Sequence, residues 1–108
     1  MKIWVDDLID QKGSGRETPS GYVGVHSVNE AIRVIEEAGK KGEQIEVIDL
    51  DHDLGSYASD GGDAINLLDY LRMNGLFYPI AIHTSNPVGR ANMVTLVKRA
   101  WPEELHIH

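Results

Sequence analysis

Val47-Ile48-Asp49-Leu50-Asp51-His52-Asp53-Leu54-Gly55 is the stretch on which the reading of this chain turns. Apolar residues run from Ile45 to Leu50, then carboxylates and an imidazole crowd into the positions up to Asp53, and Gly55 closes the segment. The apolar half predicts a buried central strand of a parallel sheet, covered on both faces. The polar half then falls at that strand's carboxyl end, where open α/β sheets bind their ligands. Unpaired carboxylates are prohibitive to bury, so this cluster requires a cation, hydrogen-bond donors or open water.

Working outward, Lys2 to Val5 is a short apolar run ending in Asp6-Asp7, which reads as a first strand with an acidic tip. Leu8 to Gly21 carries glycines, Pro19 and no helical period, and is a long loop. Tyr22 to His26 is β-rich and predicts a second strand. Ser27-Val28-Asn29-Glu30 is a capping box, and Val28, Ala31, Ile32 and Ile35 share one face of the helix it opens, which Gly39 and Lys40-Lys41 close. After the central strand comes a polar loop from Asp53 to Gly62. Asp60 to Asp63 then place negative charge at the start of a second helix with Ala64, Leu67, Leu68 and Leu71 on its apolar face. Pro79 to His83 predicts a fourth strand. Asn86 and Pro87 are an N-cap and first-turn proline for a last helix through Ala100, and Leu105 to His108 predicts a fifth strand. The order is that of a single doubly wound α/β domain with a mainly parallel five-stranded sheet, spanning residues 1–108.

Composition bounds the function. The chain of 108 residues is one domain by length, and 42% hydrophobic with 25% charged residues is ordinary for a globular protein. A net charge of −7 argues against an extended nucleic-acid surface or an anionic membrane partner. Without cysteine there are no disulfides, zinc–thiolate sites or thiol nucleophiles. No window approaches the roughly 18 apolar residues of a membrane span. The amino-terminal run turns acidic too soon for a signal peptide, so a cytoplasmic location is expected.

The strand tips carry the chemistry. Asp6, Asp7, Asp51, His52, Asp53, His83, Thr84, Ser85 and Asn86 all fall at carboxyl ends of neighbouring strands. Acidic residues from two strands at one edge predict a divalent-metal site of Asp6, Asp7, Asp51 and Asp53, with hard oxygens favouring Mg²⁺ or Mn²⁺, Ca²⁺ as a further candidate, and the histidines leaving room for a transition metal. The helix opening at Pro87 directs its amino-terminal N–H groups, around Gly89, to the same crevice, and Arg90 lies in its first turn within reach of a phosphate. A metal, an anion-binding helix end and histidines suit phosphate-ester chemistry, with His52 and His83 as proton-transfer candidates. Asp49, in the strand interior, is expected to orient its neighbours, and Trp4 and Trp101 are expected in the core.

These residues resemble two-component receiver domains, with Asp51 in the phospho-acceptor position. The chain departs from that pattern: a loop stands where the first helix belongs, and the fifth-strand lysine and final helix are missing. It is more similar to the cyclic-phosphate processing receiver-like family. The pattern there is an acidic pair, an Arg–Pro–Gly–aromatic loop, Leu-Asp-His-Asp-Leu-Gly, Asp-Gly and a His-Ser-x-Asn-Pro-Val-Gly-Arg-x-Asn-Met run. Here these are Asp6-Asp7; Arg16, Pro19, Gly21 and Tyr22; Leu50 to Gly55; Asp60-Gly61; and His83 to Met93, with Thr84 inserted after His83. The resemblance implies a receiver or flavodoxin-like fold and a small nucleotide or cyclic-phosphate ligand. It also implies phosphate contacts from Arg16, Ser85, Asn86, Gly89 and Arg90, with Arg16 swinging over the ligand from its loop. A non-enzymatic receiver-like module binding a metal and a partner protein is the alternative. A haloacid-dehalogenase-like phosphatase, suggested by the Asp51-His52-Asp53 spacing, lacks its downstream lysine and acidic pair. Substrate identity and oligomeric state are left open by the residues.

Overall fold

A computed structural model describes residues 1–107 of the chain. The elements are β1 (Lys2–Val5), β2 (Tyr22–Val25), α1 (Val28–Lys41), β3 (Val47–Leu50), α2 (Ile65–Met73), β4 (Ile80–Ile82) and α3 (Pro87–Ala100), with short 3₁₀ turns at Gly55–Ser59 and Glu103–Leu105. The four strands form one parallel sheet in the order β2-β1-β3-β4. Together with the three helices this is an α/β fold consistent with a receiver-like architecture. No helix of the described residues is long and apolar enough to cross a membrane.

The fifth strand does not form among the described residues. Leu105 and His106 donate their N–H groups to the carbonyls of Pro102 and Glu103, so those donors are used locally before a ladder can take them. Leu105 and Ile107 instead pack side chains against the core, and His108, the last residue of the expected strand, lies outside the described residues. Between β1 and β2 the chain makes turns and bends and no helix.

The sheet is not buried on both faces as the apolar run had implied. The register pairs Ile3 with Ile48, Val5 with Val25 and Leu50, and Ile48 with Ile80, which sets these residues on one face. All of them belong to a single buried cluster with Val28, Ala31 and Ile35 of α1, Leu67, Leu68 and Leu71 of α2, and Met93 and Val97 of α3. The three helices therefore cover that face. The alternate residues, Lys2, Trp4, Tyr22, Gly24, Val47, Asp49 and Ala81, point the other way and are exposed or half-buried. Here Trp4 meets Tyr22 edge-on at 5.9 Å, and the Arg16–Thr18 part of the long loop lies over the sheet, with Trp4 Nε1 donating to the Arg16 carbonyl at 3.1 Å. One apolar layer and one semi-polar layer explain how a carboxylate can sit in the middle of β3.

Helix boundaries follow local chemistry. Ser27 Oγ accepts from the Glu30 N–H at 3.1 Å, as the capping box requires. The Glu30 carboxylate accepts from the N–H of His26 instead of that of Ser27, at 2.9 Å. α1 continues through Gly39 and stops at Gly42, whose φ is 67°. Asp60 does not open α2, which begins at Ile65; its carboxylate accepts from Ser27 Oγ at 2.7 Å and Asn29 Nδ2 at 3.1 Å. That acid ties the β3–α2 connection to the start of α1.

Candidate functional site

The parallel register carries one step past the strands. Asp6 donates its N–H to Val25, Asp51 to Val5, and His83 to Leu50, at 3.0, 2.9 and 2.8 Å. His26, Asp6, Asp51 and His83 therefore form a row across the carboxyl edge of the sheet, one residue beyond Val25, Val5, Leu50 and Ile82. By the alternation of strand side chains, Asp6, Asp51 and His83 fall on the same side as Trp4 and Asp49. The site is thus built on the sheet face that the helices leave free.

Asp6 is completely buried and Asp51 is 3% exposed. One oxygen from each of Asp6, Asp7 and Asp51 lies within 4.8 Å of the others, a set that could hold a metal ion. Three carboxylate oxygens are the donor chemistry of a hard divalent cation, so the residues present fit a metal of that class. Asp53 is not in this group. The chain bends after Asp51, and Asp53 faces α3, where its oxygens bond His52 Nδ1 at 2.9 Å and Asn86 Nδ2 at 3.0 Å. These two bonds hold its carboxyl below the ordinary carboxylate range.

Arg16 is seated inside the acidic cluster. Its Nε donates to Asp6 Oδ2 at 2.6 Å and its Nη2 bonds Asp51 Oδ2, while the side chain is 26% exposed. It does not stand away from the carboxylates as a raised lid. Burial works most strongly against the guanidinium charge, but the bond to Asp6 and the charges of Asp51, Asp6 and Asp7 outweigh it and raise the Arg16 pKa. Burial also pushes the Asp51 carboxyl up, against the Thr84 hydrogen bond and the Arg16 charge, which pull it down. The Asp7 carboxyl is likewise raised, mainly by burial, with a backbone hydrogen bond opposing and the Asp6 charge assisting. One guanidinium against three carboxylates leaves the cluster electronegative.

His83 closes the network on the β4 side. Its Nε2 lies 2.9 Å from Asp6 Oδ2 and its Nδ1 lies 2.7 Å from Asp49 Oδ1. The ring stacks on Trp4 at 3.5 Å with an interplanar angle of 6°. The result is a continuous chain of contacts, Asp49–His83–Asp6–Arg16–Asp51, and Asp49 does orient a neighbour. Trp4 is not a core residue, as the sequence had suggested. It is a platform that touches both His83 and the Arg16 backbone, whereas Trp101 is buried at 3% exposure. The missed signal was its position: Trp4 stands two residues before Asp6, on the same side of β1.

His52 faces α3. Its Nδ1 bonds Asp53, and its ring lies so close to Gly89 that a Cβ there would overlap the imidazole. Gly89 thus serves by lacking a side chain, and its N–H is held by the Asn86 cap at 2.9 Å, so it is not a spare phosphate donor. Gly55, at φ 56°, does the same for Asp7, since a Cβ there would lie 2.6 Å from Asp7 Oδ2. Arg90 is half-buried and donates Nη1 to the Ile82 carbonyl at 3.1 Å, which fixes it at the end of β4. Ser85 is exposed on the connecting turn, where Thr84 Oγ1 accepts from the Asn86 N–H at 3.2 Å. The structure therefore gathers two adjoining groups. One is Asp6, Asp7, Asp51, Arg16 and His83; the other is His52, Asp53, Asn86 and Gly89.

A family model described as the cyclic-phosphate processing receiver domain matches residues 1–99. No curated protein matches the chain, and no solved structure does. With the match running over nearly the whole chain, this protein belongs to the cyclic-phosphate processing receiver domain family.

Proposed function

We propose that the domain binds a cyclic-phosphate-bearing nucleotide together with a divalent cation at the carboxyl edge of the sheet, and hydrolyses the phosphodiester there. The observation that carries this reading is the convergence of Asp6, Asp7 and Asp51 within 4.8 Å in a member of this family. A bound Mg²⁺ or Mn²⁺ would supply charge neutralisation at a phosphoryl oxygen and activation of water. Asp6, Asp7 and Asp51 would hold it.

The histidines divide the remaining work. His83 has both ring nitrogens against carboxylates, so its role is to hold Asp6 in place, as an outer-shell partner orients a ligating carboxylate. His52 is anchored through Nδ1 by Asp53, which leaves Nε2 for proton transfer to or from the reacting phosphate ester. Arg16 and Arg90 are the cations for phosphate oxygens, and Asn86 sets the α3 turn beside them. The electronegative cluster repels a phosphate, so anion binding requires the cation first.

A thermal-shift titration with Mg²⁺, Mn²⁺ and Ca²⁺, alone and with a panel of 2′,3′- and 3′,5′-cyclic nucleotides, tests the binding. Stabilisation by metal alone, with a further shift by cyclic phosphate only when metal is present, is the expected result. Phosphorus NMR of the same mixtures then separates turnover from sequestration. If no metal shifts the unfolding transition, the carboxylates do not form a cation site and the reading fails.

A further inference from the structure

The guanidinium of Arg16 stands where a cation between Asp6 and Asp51 would have to be. It bonds one oxygen of each, and those two carboxylates are 0% and 3% exposed. Leu8 N–H occupies Asp6 Oδ1 at 2.8 Å, and His52 N–H occupies Asp51 Oδ1 at 2.8 Å. Every oxygen of the two carboxylates thus already has a partner, Asp6 Oδ2 having both Arg16 and His83 Nε2, so a cation between Asp6 and Asp51 competes with the guanidinium that spans them. A carboxylate oxygen does not serve a charge-assisted hydrogen bond and a hard cation at about 2.1 Å in the same direction.

We infer that Arg16 and a divalent cation are alternative occupants of the Asp6–Asp51 pair. Cation entry expels the guanidinium, and the loop that carries it changes its seat on the sheet. This rests on the cation site proposed above and adds an internal latch to it. In the latched state Arg16 neutralises buried carboxylates that would otherwise stand unpaired. In the released state the same guanidinium is free for a phosphate oxygen. Metal binding thereby creates a phosphate donor, and ligand binding becomes ordered, metal first.

The loop is built to be held at few points. Near Arg16 the Glu17 carboxylate gathers the N–H groups of Gly13 and Gly15 and the Ser14 hydroxyl, so the Gly13–Glu17 turn is a self-contained unit. The Arg16–Thr18 part is linked to the sheet by the Arg16 side chain, the Trp4 Nε1 bond to the Arg16 carbonyl, and Thr18 against Gly24, while Asp10 at the start of the loop contacts His26. Trp4 consequently reports the latch from within.

The test is two-dimensional NMR of the ¹⁵N-labelled protein titrated with Mg²⁺, paired with Mn²⁺ calorimetry on wild type and Arg16→Gln. On saturation with Mg²⁺, the Trp4 indole N–H (assigned with Trp4→Phe) and the Arg16 Nε–H are expected to move together, the latter to the position of a solvated arginine. Arg16→Gln is expected to bind Mn²⁺ about tenfold tighter, a difference of about 1.4 kcal/mol. Mg²⁺ binding with an unmoved Arg16 Nε–H overturns the displacement, even if Arg16→Gln binds more tightly, because charge repulsion alone would explain that gain. Equal or weaker Mn²⁺ binding by Arg16→Gln also overturns it. Absence of metal binding in both proteins overturns the latch through the failure of the cation site itself, and calorimetry tells that case apart.

Discussion

Replacing Asp51 by Asn should make the metal-free protein more stable while abolishing its response to metal. Asp51 is 3% exposed, and burial lifts its carboxyl above the ordinary value of 3.8 despite Arg16 and Thr84. A carboxyl whose folded pKa exceeds its unfolded value favours folding when protonated. Its unfavourable contribution is absent well below pH 3.8, grows as pH rises toward the folded pKa, and is complete above that folded pKa. An amide of the same shape removes the buried charge and keeps its oxygen for Arg16 Nη2, at the loss of the one bond that Asp51 Oδ1 accepts from the His52 N–H. A single stabilising substitution commonly gains about 0.5–2 kcal/mol. At about 1 kcal/mol, a domain of this size melts about 4–8 °C higher. Calorimetric melting in chelator at pH 7 measures the gain, and repeating it toward pH 4 should narrow the gap as Asp51 itself protonates. With Mg²⁺ at a hundredfold excess over its dissociation constant, wild type should gain about 2.7 kcal/mol and the variant should gain none. A variant that melts below wild type in chelator would refute the reasoning, because Arg16 and Thr84 would then contribute more than burial of the charge costs.

Other perturbations probe the surroundings of the site. His26 sits between Asp10, 2.6 Å from its Nε2, and Glu30, 3.2 Å from its Nδ1, and stacks on Tyr57. Burial is the largest single influence and lowers its pKa, but the bonds and charges of Asp10 and Glu30 together raise it above the ordinary 6.5. That contribution is full below pH 6.5 and lost as pH rises through the folded pKa, so the melting temperature of wild type should fall over that window more than that of His26→Gln. Gly89→Ala forces a methyl into the His52 ring, and overpacking of this kind costs about 1–3 kcal/mol against a helix-propensity gain of about 1 kcal/mol. In a His52→Ala background the same change should become neutral or stabilising, which a double-mutant cycle by urea unfolding reads directly. Ile48→Ala, on the core face, should lose about 2–5 kcal/mol. Val47→Ala, on the opposite face, should lose under about 1 kcal/mol, and equal losses would contradict a one-sided core.

The contrast between those two neighbours locates what was legible in the chain. The β1, β3 and β4 runs and the capping signals at Ser27 and Asn86 are local, and local rules found them: Ser27 and Asn86 both cap as their residue types require. The fifth strand was misread because apolar Leu105 and Ile107 look the same whether they pair through backbone or pack through side chains. The two-sided burial of β3 was misread because Val47-Ile48-Asp49-Leu50 is both a continuous run and an alternation broken by an aspartate. Asp49 was the residue that could have decided it. A carboxylate inside a strand covered on both faces would be stranded, whereas on a half-open face it meets His83 at 2.7 Å.

The site followed the same division. Asp6, Asp7 and Asp51 could be grouped from the sequence because parallel strands align their carboxyl ends whatever their loops do. Asp53 was grouped with them by proximity along the chain, and a single bend sent it to α3, into the bonds with His52 and Asn86. Alternation along β1 puts Trp4 on the side of Asp6, but its bond to the loop and the insertion of Arg16 between two strands follow no periodicity, since both join a strand to a distant loop. Net charge nevertheless implied something of the kind. Two acids buried at adjacent strand tips demand a positive partner, and in a chain with 10 Lys and Arg against 17 Asp and Glu that partner must be specifically positioned. The long loop between β1 and β2 brings it there, and a site whose neutralising charge rides on a loop is a site whose charge can be exchanged.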